Sequence, residues 1–123
     1  MNIIEELAMT PGVIAAGEYS YRGDRFSFEG NLDEEKARMA SIMCRATTMA
    51  VHMQTDMLKS LNADRGCAPA RGWVVKGEQF SVCVIANIFC FIDNSSSSLN
   101  NVMNFMRANV CLLYTSDAAD DYL

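Results

Sequence analysis

One histidine, His52, in 123 residues offers no second imidazole for a metal centre, and no two cysteines stand as a Cys-x-x-Cys pair. Zinc sites of ordinary spacing are therefore excluded. No serine lies in a Gly-x-Ser-x-Gly elbow, and no glycine-rich loop leads into a lysine. The chain lacks the signatures of an elbow-type hydrolase and of a P-loop nucleotidase. Lys and Arg total only 10 and do not cluster, which argues against a nucleic-acid footprint. The longest apolar run, Ser81 to Ile92, is too short for a membrane span and contains Asn87. The opening MNIIEELAM is acidic, stops at Pro11 and does not resemble a signal peptide. These absences describe a cytoplasmic protein with reduced thiols and no catalytic, cofactor-binding or metal-binding constellation.

The end of the chain differs from the rest. Over the eleven residues Cys111 to Asp121, one reading frame back-translates to a string resembling the transposase end and adapter of sequencing libraries. Residues 111–123 are therefore read as a non-native, disordered tail, and residues 1–110 as one domain, long enough for a single core. The tail carries Asp117, Asp120 and Asp121, three of fifteen acids, so twelve acids face ten bases in the rest. The apparent acidity belongs largely to the tail. Four cysteines remain: Cys44, Cys67, Cys83 and Cys90.

Periodicity organises the domain. Ile3, Ile4 and Leu7, followed by Pro11-Gly12, predict a short first helix. Val13 to Tyr21 and Arg25 to Glu29 predict a hairpin around Arg22-Gly23-Asp24, with Phe26 and Phe28 on one strand face. That tripeptide also occurs in adhesion ligands, but a turn is its simpler use here. A long helix follows over Leu32 to Leu61, with Asn31 as N-cap and Glu34 three residues on. Met39, Met43, Ala46, Ala50, Met53, Met57 and Leu61 form one stripe along it, and Ile42, Met49 and Leu58 widen the apolar arc. A helix covering only its own sheet needs one stripe, so this breadth implies two neighbours. Gly66, Pro69 and Gly72 mark a loop. Three strands are then expected at Gly72 to Lys76, Gln79 to Ala86 and Ile88 to Asp93, with turns at Gly77-Glu78 and Ala86-Asn87. Ser97 or Ser98 caps a last helix bearing Leu99, Val102, Met103 and Met106.

Helix, two strands, long helix, three strands and helix make an α+β fold, a single sheet covered by helices. Together with PGVIAAGEYS, the Met-rich helix and GWVVKGEQFSVCVIANIFCFI, this order resembles the roadblock family of dynein-light-chain-like modules, in a prokaryotic branch. The resemblance covers Asn2 to about Arg107. It implies a five-stranded antiparallel sheet between the long helix on one face and the two terminal helices on the other. It also implies a homodimer that pairs long helices and joins third strands, and a role as adaptor or regulator of small Ras-like GTPases rather than as an enzyme. The interface would use Met39, Ile42, Met43, Ala46, Met49, Ala50, Met53 and Met57 on the helix, with Trp73 and Val75 on the strand.

Each marked residue also has a plainer use. His52 reads as a half-buried helix residue, the methionines as core or seam rather than a flexible groove, and Arg38, Arg45 and Lys59 as a solvated face. Trp73 would be partly exposed in a monomer and an anchor at an interface. A different class remains open. In a profilin-like or PAS-like sensory module, Met43, Cys44, Cys83 and aromatics would line a small-ligand pocket. A two-residue Ala86-Asn87 turn places Cys83 opposite Cys90, where two reduced, buried thiols are expected. The tail reading has its own test: deleting Cys111 to Leu123 should leave melting temperature and oligomeric state unchanged, and loss of folding would assign the tail to the domain.

Overall fold

The computed structural model describes residues 2–61, 72–96 and 98–109. The expected loop after Leu61, Ser97 and the tail lie outside them. Helix α1 spans Ile3–Met9, strand β1 Val13–Tyr19, strand β2 Phe26–Gly30 and helix α2 Glu34–Leu61. Strands β3, β4 and β5 span Gly72–Lys76, Phe80–Ile85 and Ile88–Asp93. A last helix, α3, covers residues 99–109. The five strands form one antiparallel sheet in the order β2-β1-β5-β4-β3. The expected fold class and element order hold.

Helix starts are set by local oxygen acceptors. Asn2 caps α1 by accepting from the Glu5 amide at 2.9 Å. For α2 the side chain that accepts is Asp33, from the Lys36 amide at 2.7 Å, and not the Asn31 expected from the capping-box pattern. Asp33 stands directly before the first helical residue, where its carboxylate reaches an orphan amide and also favours the positive helix end. Ser98 accepts from the Asn101 amide at 3.3 Å, as expected.

The two sheet faces carry different cores. Towards α1 and α3 lie Ile3, Ile4, Leu7, Ala16, Cys83, Ile88, Cys90, Ile92, Val102 and Met106. Towards α2 lie Tyr19, Ala40, Cys44, Val84 and Phe89, flanked by Phe26, Phe28, Trp73, Val82 and Phe91. Gly17 makes that second core possible: a Cβ there would stand 2.4 Å from the Phe89 ring and 2.6 Å from the Ser27 carbonyl oxygen. Phe89 lies flat across β1 only because that position has no side chain.

At the β4–β5 turn the register is the expected one, with Ile85 opposite Ile88, Val84 opposite Phe89 and Cys83 opposite Cys90. The left-handed residue is Ala86, at φ 58°, rather than Asn87. Asn87 has another task. Its side-chain amide donates to the Tyr19 carbonyl at 2.8 Å and its carbonyl accepts from the Tyr19 amide at 3.1 Å, so it ties the turn to the end of β1.

Helix α2 meets the sheet through Ala37, Ala40, Ser41, Cys44 and Thr48. The fastening is Thr48. Its hydroxyl donates to the Cys44 carbonyl at 2.8 Å and accepts from the Trp73 indole at 2.8 Å. Tyr19 Oη lies 2.8 Å away, and because the single Thr48 proton is committed, Tyr19 is the donor. One hydroxyl thus joins α2 to β1 and to β3. Thr48→Val keeps the shape and removes the acceptor for the Trp73 indole, leaving Tyr19 Oη its longer bond to the Ala86 carbonyl at 3.5 Å. It should lower unfolding free energy by about 1–3 kcal/mol, read as a shift of the urea midpoint with altered Trp73 fluorescence. An unchanged midpoint would show the junction to be inert.

Candidate functional site: the outer face of the long helix

With small residues turned inward, the large apolar residues of α2 face out. Met39, Ile42, Met43, Met49, Met53, Met57, Leu58 and Leu61 are all exposed, from 51% for Met39 to 73% for Leu61. Ala46 and Ala50 are exposed on the same helix. The breadth of the arc implied two neighbours, yet neither apolar set is buried against the sheet; the buried α2 residues are the small ones. Beyond His52 no α2 residue is buried, and from Asp56 to Leu61 every residue is exposed. Among the described residues, none buries the last turns of α2. His52 itself is half-buried, as expected.

Strand β3 bounds this face. Among the described residues it pairs with β4 alone and forms one edge of the sheet, whose outer amides and carbonyls suit pairing with another strand. Val75 on it is 55% exposed, and Trp73 is half-buried with its indole nitrogen turned in to Thr48. Between β3 and α2 runs an apolar groove of about 470 Å³, where Met39, Met43, Cys44, Trp73 and Val75 are joined by Leu32, Lys36, Ala40, Thr47, Val82 and Phe91. Sequence reasoning missed those last partners. Val82 and Phe91 could have been found, since they are register partners, two residues from Val84 and Phe89 and on the same sheet face.

The structure therefore brings Met39, Met43, Trp73 and Val75 together and leaves Ile42, Ala46, Met49, Ala50, Met53 and Met57 along the exposed helix. It separates two members of the pocket that a sensory module would need. Met43 and Cys44 line the groove, whereas Cys83 belongs to the opposite core.

The thiols are buried and free among the described residues. Cys83 donates to the Met106 thioether at 3.6 Å, and Cys90 is held protonated by donating to Cys83 and by its burial. Each proton has a sulfur acceptor, so the trio packs as a reduced apolar core. Burial, with the nearby Cys83 adding to it, pushes the Cys44 thiol up to about 12. Among the described residues no group of three or more His, Cys, Asp and Glu is placed to hold a metal, and no helix is long and apolar enough to cross a membrane.

The family model described as "Uncharacterized conserved protein (DUF2173)" matches residues 3–108. Among solved structures, the Roadblock/LC7 domain from Streptomyces avermitilis aligns with a TM-score of 0.55 at 13% identity, over 88% of this chain and 94% of that one. At that identity the likeness shows the fold, which is roadblock-like. No curated protein matches the chain.

A thiol whose pKa rises on folding stabilises the fold below its unfolded value and loses that contribution as pH climbs towards the folded one. The Cys44 contribution is thus present below about 9 and lost between 9 and about 12. Urea midpoints should fall more steeply above pH 9 in the wild type than in Cys44→Ala, and equal slopes would show that Cys44 titrates normally.

Proposed function

The chain belongs to the DUF2173 family, and from that membership, its roadblock-like fold and the bare outer face of α2 we propose a non-enzymatic homodimeric adaptor. The observation that carries this reading is the exposed methionine face, continuous along a helix whose last turns are exposed among the described residues. An isolated helical end is marginal in water, and a long apolar patch marks a surface that another surface covers. A second copy offers the same face. In that dimer two α2 helices pair, and two β3 edges extend the sheets into one. Full burial of each methionine contributes roughly 1.5–3 kcal/mol, so a few suffice to hold protomers together.

The interface residues are Met39, Ile42, Met43, Ala46, Met49, Ala50, Met53 and Met57, with Trp73 and Val75 at the strand. Residues 1–110 act as one roadblock-like domain in this reading, with the tail outside it. The composite surface of the dimer serves a protein partner, a small Ras-like GTPase first among them, in the cytoplasm, where buried thiols stay reduced. Nucleic acid and membrane have no place in it, and no cofactor is needed.

A second reading rests on the groove of about 470 Å³ beside Trp73, whose apolar lining suits a small ligand and a sensory role. Native mass measurement separates the two: a dimer of bare chain mass supports the adaptor, and a bound small molecule supports the sensor.

Met49→Glu or Met53→Glu places a carboxylate at the centre of the seam, where burial without a partner costs several kcal/mol. Both positions are exposed in the single chain, so the fold itself should survive. Sedimentation is expected to show wild-type dimer and variant monomer, with the urea midpoint of the monomer retained. A wild type that sediments as a monomer at micromolar concentration would overturn the dimer.

A further inference from the structure

On the far side of α2 from β3 lies a second cleft, of about 220 Å³, whose arginines the adaptor reading does not use. Three arginines from two elements line it: Arg25 beside the β1–β2 turn, and Arg38 and Arg45 on α2. The spacing of seven residues puts Arg38 and Arg45 two helical turns apart on one face. Tyr19, Phe26 and Ile42 supply apolar wall.

Arg45 is held in place by the turn itself. Its Nε donates to the Tyr21 carbonyl at 2.8 Å, which fixes the plane of the guanidinium, and among the described residues its terminal nitrogens have no acceptor. Gly23 makes room for it. A Cβ on Gly23 would stand 3.0 to 3.2 Å from Nε, Cζ and Nη1 of Arg45, and the φ of +83° also disfavours a side chain. The turn is rigid in its own right, because Ser20 Oγ accepts from the amides of Asp24 and Arg25 at 3.1 Å and donates to the Asp24 carboxylate at 2.7 Å. That hydrogen bond lowers the pKa of Asp24 and keeps it ionised, turned to Ser20.

The local charges do not cancel. Arg38 gives Nε and Nη2 to Glu35 at 3.2 and 2.6 Å, leaving Nη1, and Arg25 lies 3.8 Å from Asp24. Among the described residues no carboxylate lies within ion-pair distance of Arg45, although the residue is only half exposed. A guanidinium that is pre-oriented, partly desolvated and unneutralised has lost part of its hydration without gaining an anion.

We propose that the Arg25–Arg38–Arg45 cleft binds the phosphoryl group of a small phosphomonoester whose apolar body lies against Tyr19, Phe26 and Ile42. A tetrahedral oxyanion accepts from donors in several directions, which suits three arginines drawn from two elements, whereas a planar carboxylate satisfies one guanidinium fork at a time. The cleft is larger than the anion alone requires, and its apolar wall accounts for the remaining space. Of the seam residues Ile42 alone borders the cleft, and the edge of β3 takes no part, so the arginine variants test the proposal separately from the dimer.

Phenyl phosphate is the probe, titrated at constant ionic strength into the ¹⁵N-labelled full chain, with inorganic phosphate and benzoate in parallel. Saturable shifts of the Ser20 to Arg25 amides and of the α2 amides around Arg38 to Arg45 are expected, tightest for phenyl phosphate. Arg45→Gln should weaken binding at least tenfold. Arg25→Gln, on an exposed turn that does not depend on it, should weaken it severalfold and covers the case in which Arg45→Gln fails to fold. Arg107→Gln, on α3, should leave it unchanged. Shifts that stay linear in concentration, benzoate binding as tightly as phenyl phosphate, or undiminished binding in Arg25→Gln would each overturn the assignment.

Discussion

The Thr48 hydroxyl is the point on which the helix–sheet arrangement turns. A threonine has one proton to give and two lone pairs to offer, and here all three are used, on the Cys44 carbonyl, the Trp73 indole and the Tyr19 phenol. Because the partners sit on β1 and β3, near opposite sides of the sheet, one contact sets both the height and the direction of α2. The neighbours follow from it. Ala37, Ala40, Ser41 and Cys44 are small enough for the helix to lie close, and the Ser41 hydroxyl returns its proton to the Ala37 carbonyl at 2.8 Å, so the buried polar atom is satisfied. A helix held this closely has no room beneath it for methionine. The exposed apolar face is the geometric consequence of the polar anchor.

That inversion explains what could and could not be read from the sequence. Strand order along the chain, the Cys83–Cys90 register and the sheet faces of Phe26 and Phe28 follow from alternation and turn length, which depend on near neighbours. The width of the apolar arc on α2 was also legible, and it implied a second neighbour. Which residues meet the sheet was not. Hydropathy ranks Met39 and Met43 above Ser41 and Thr48 as core, and only the presence of Tyr19 and Trp73 across the interface reverses the order. The groove residues Val82 and Phe91 stayed hidden for a related reason: the sequence shows that they point to one face, but not that the helix leaves that part of the face uncovered. Asn31 and Asp33 are both good caps in sequence, and the choice between them rests on where the first helical turn begins. Asn87 is a residue type that tolerates a left-handed turn position, but its side chain serves Tyr19 instead, a contact spanning 68 residues of chain.

The two faces of the sheet divide the work. Towards α1 and α3 the centre of the packing is closed: Leu7, Cys90, Ile92 and Met106 are fully buried, and the Cys83 and Cys90 protons are used within the sulfur trio. That face supplies cohesion. Towards α2 the packing is open at both flanks, with the methionine-lined groove on the β3 side and the arginine cleft on the β2 side. The closed core allows α2 to be poorly covered without loss of the fold.

Ile42 connects those flanks. It lines the arginine cleft, is 53% exposed, and stands next to Met43, which lines the groove on the other side of the helix. In a paired-helix dimer the side chain of Ile42 would be drawn into the seam while its neighbours Arg38 and Arg45 stay at the rim. An anion in the cleft would then lie against the edge of the interface and would lessen the repulsion between guanidiniums that two copies bring together. The sign of such coupling follows from charge alone: an occupant that neutralises the rim favours association, and by reciprocity association favours the occupant. A helix fixed by one buried hydroxyl, apolar along its outer face and cationic at one border, is suited to make assembly depend on what the cleft holds.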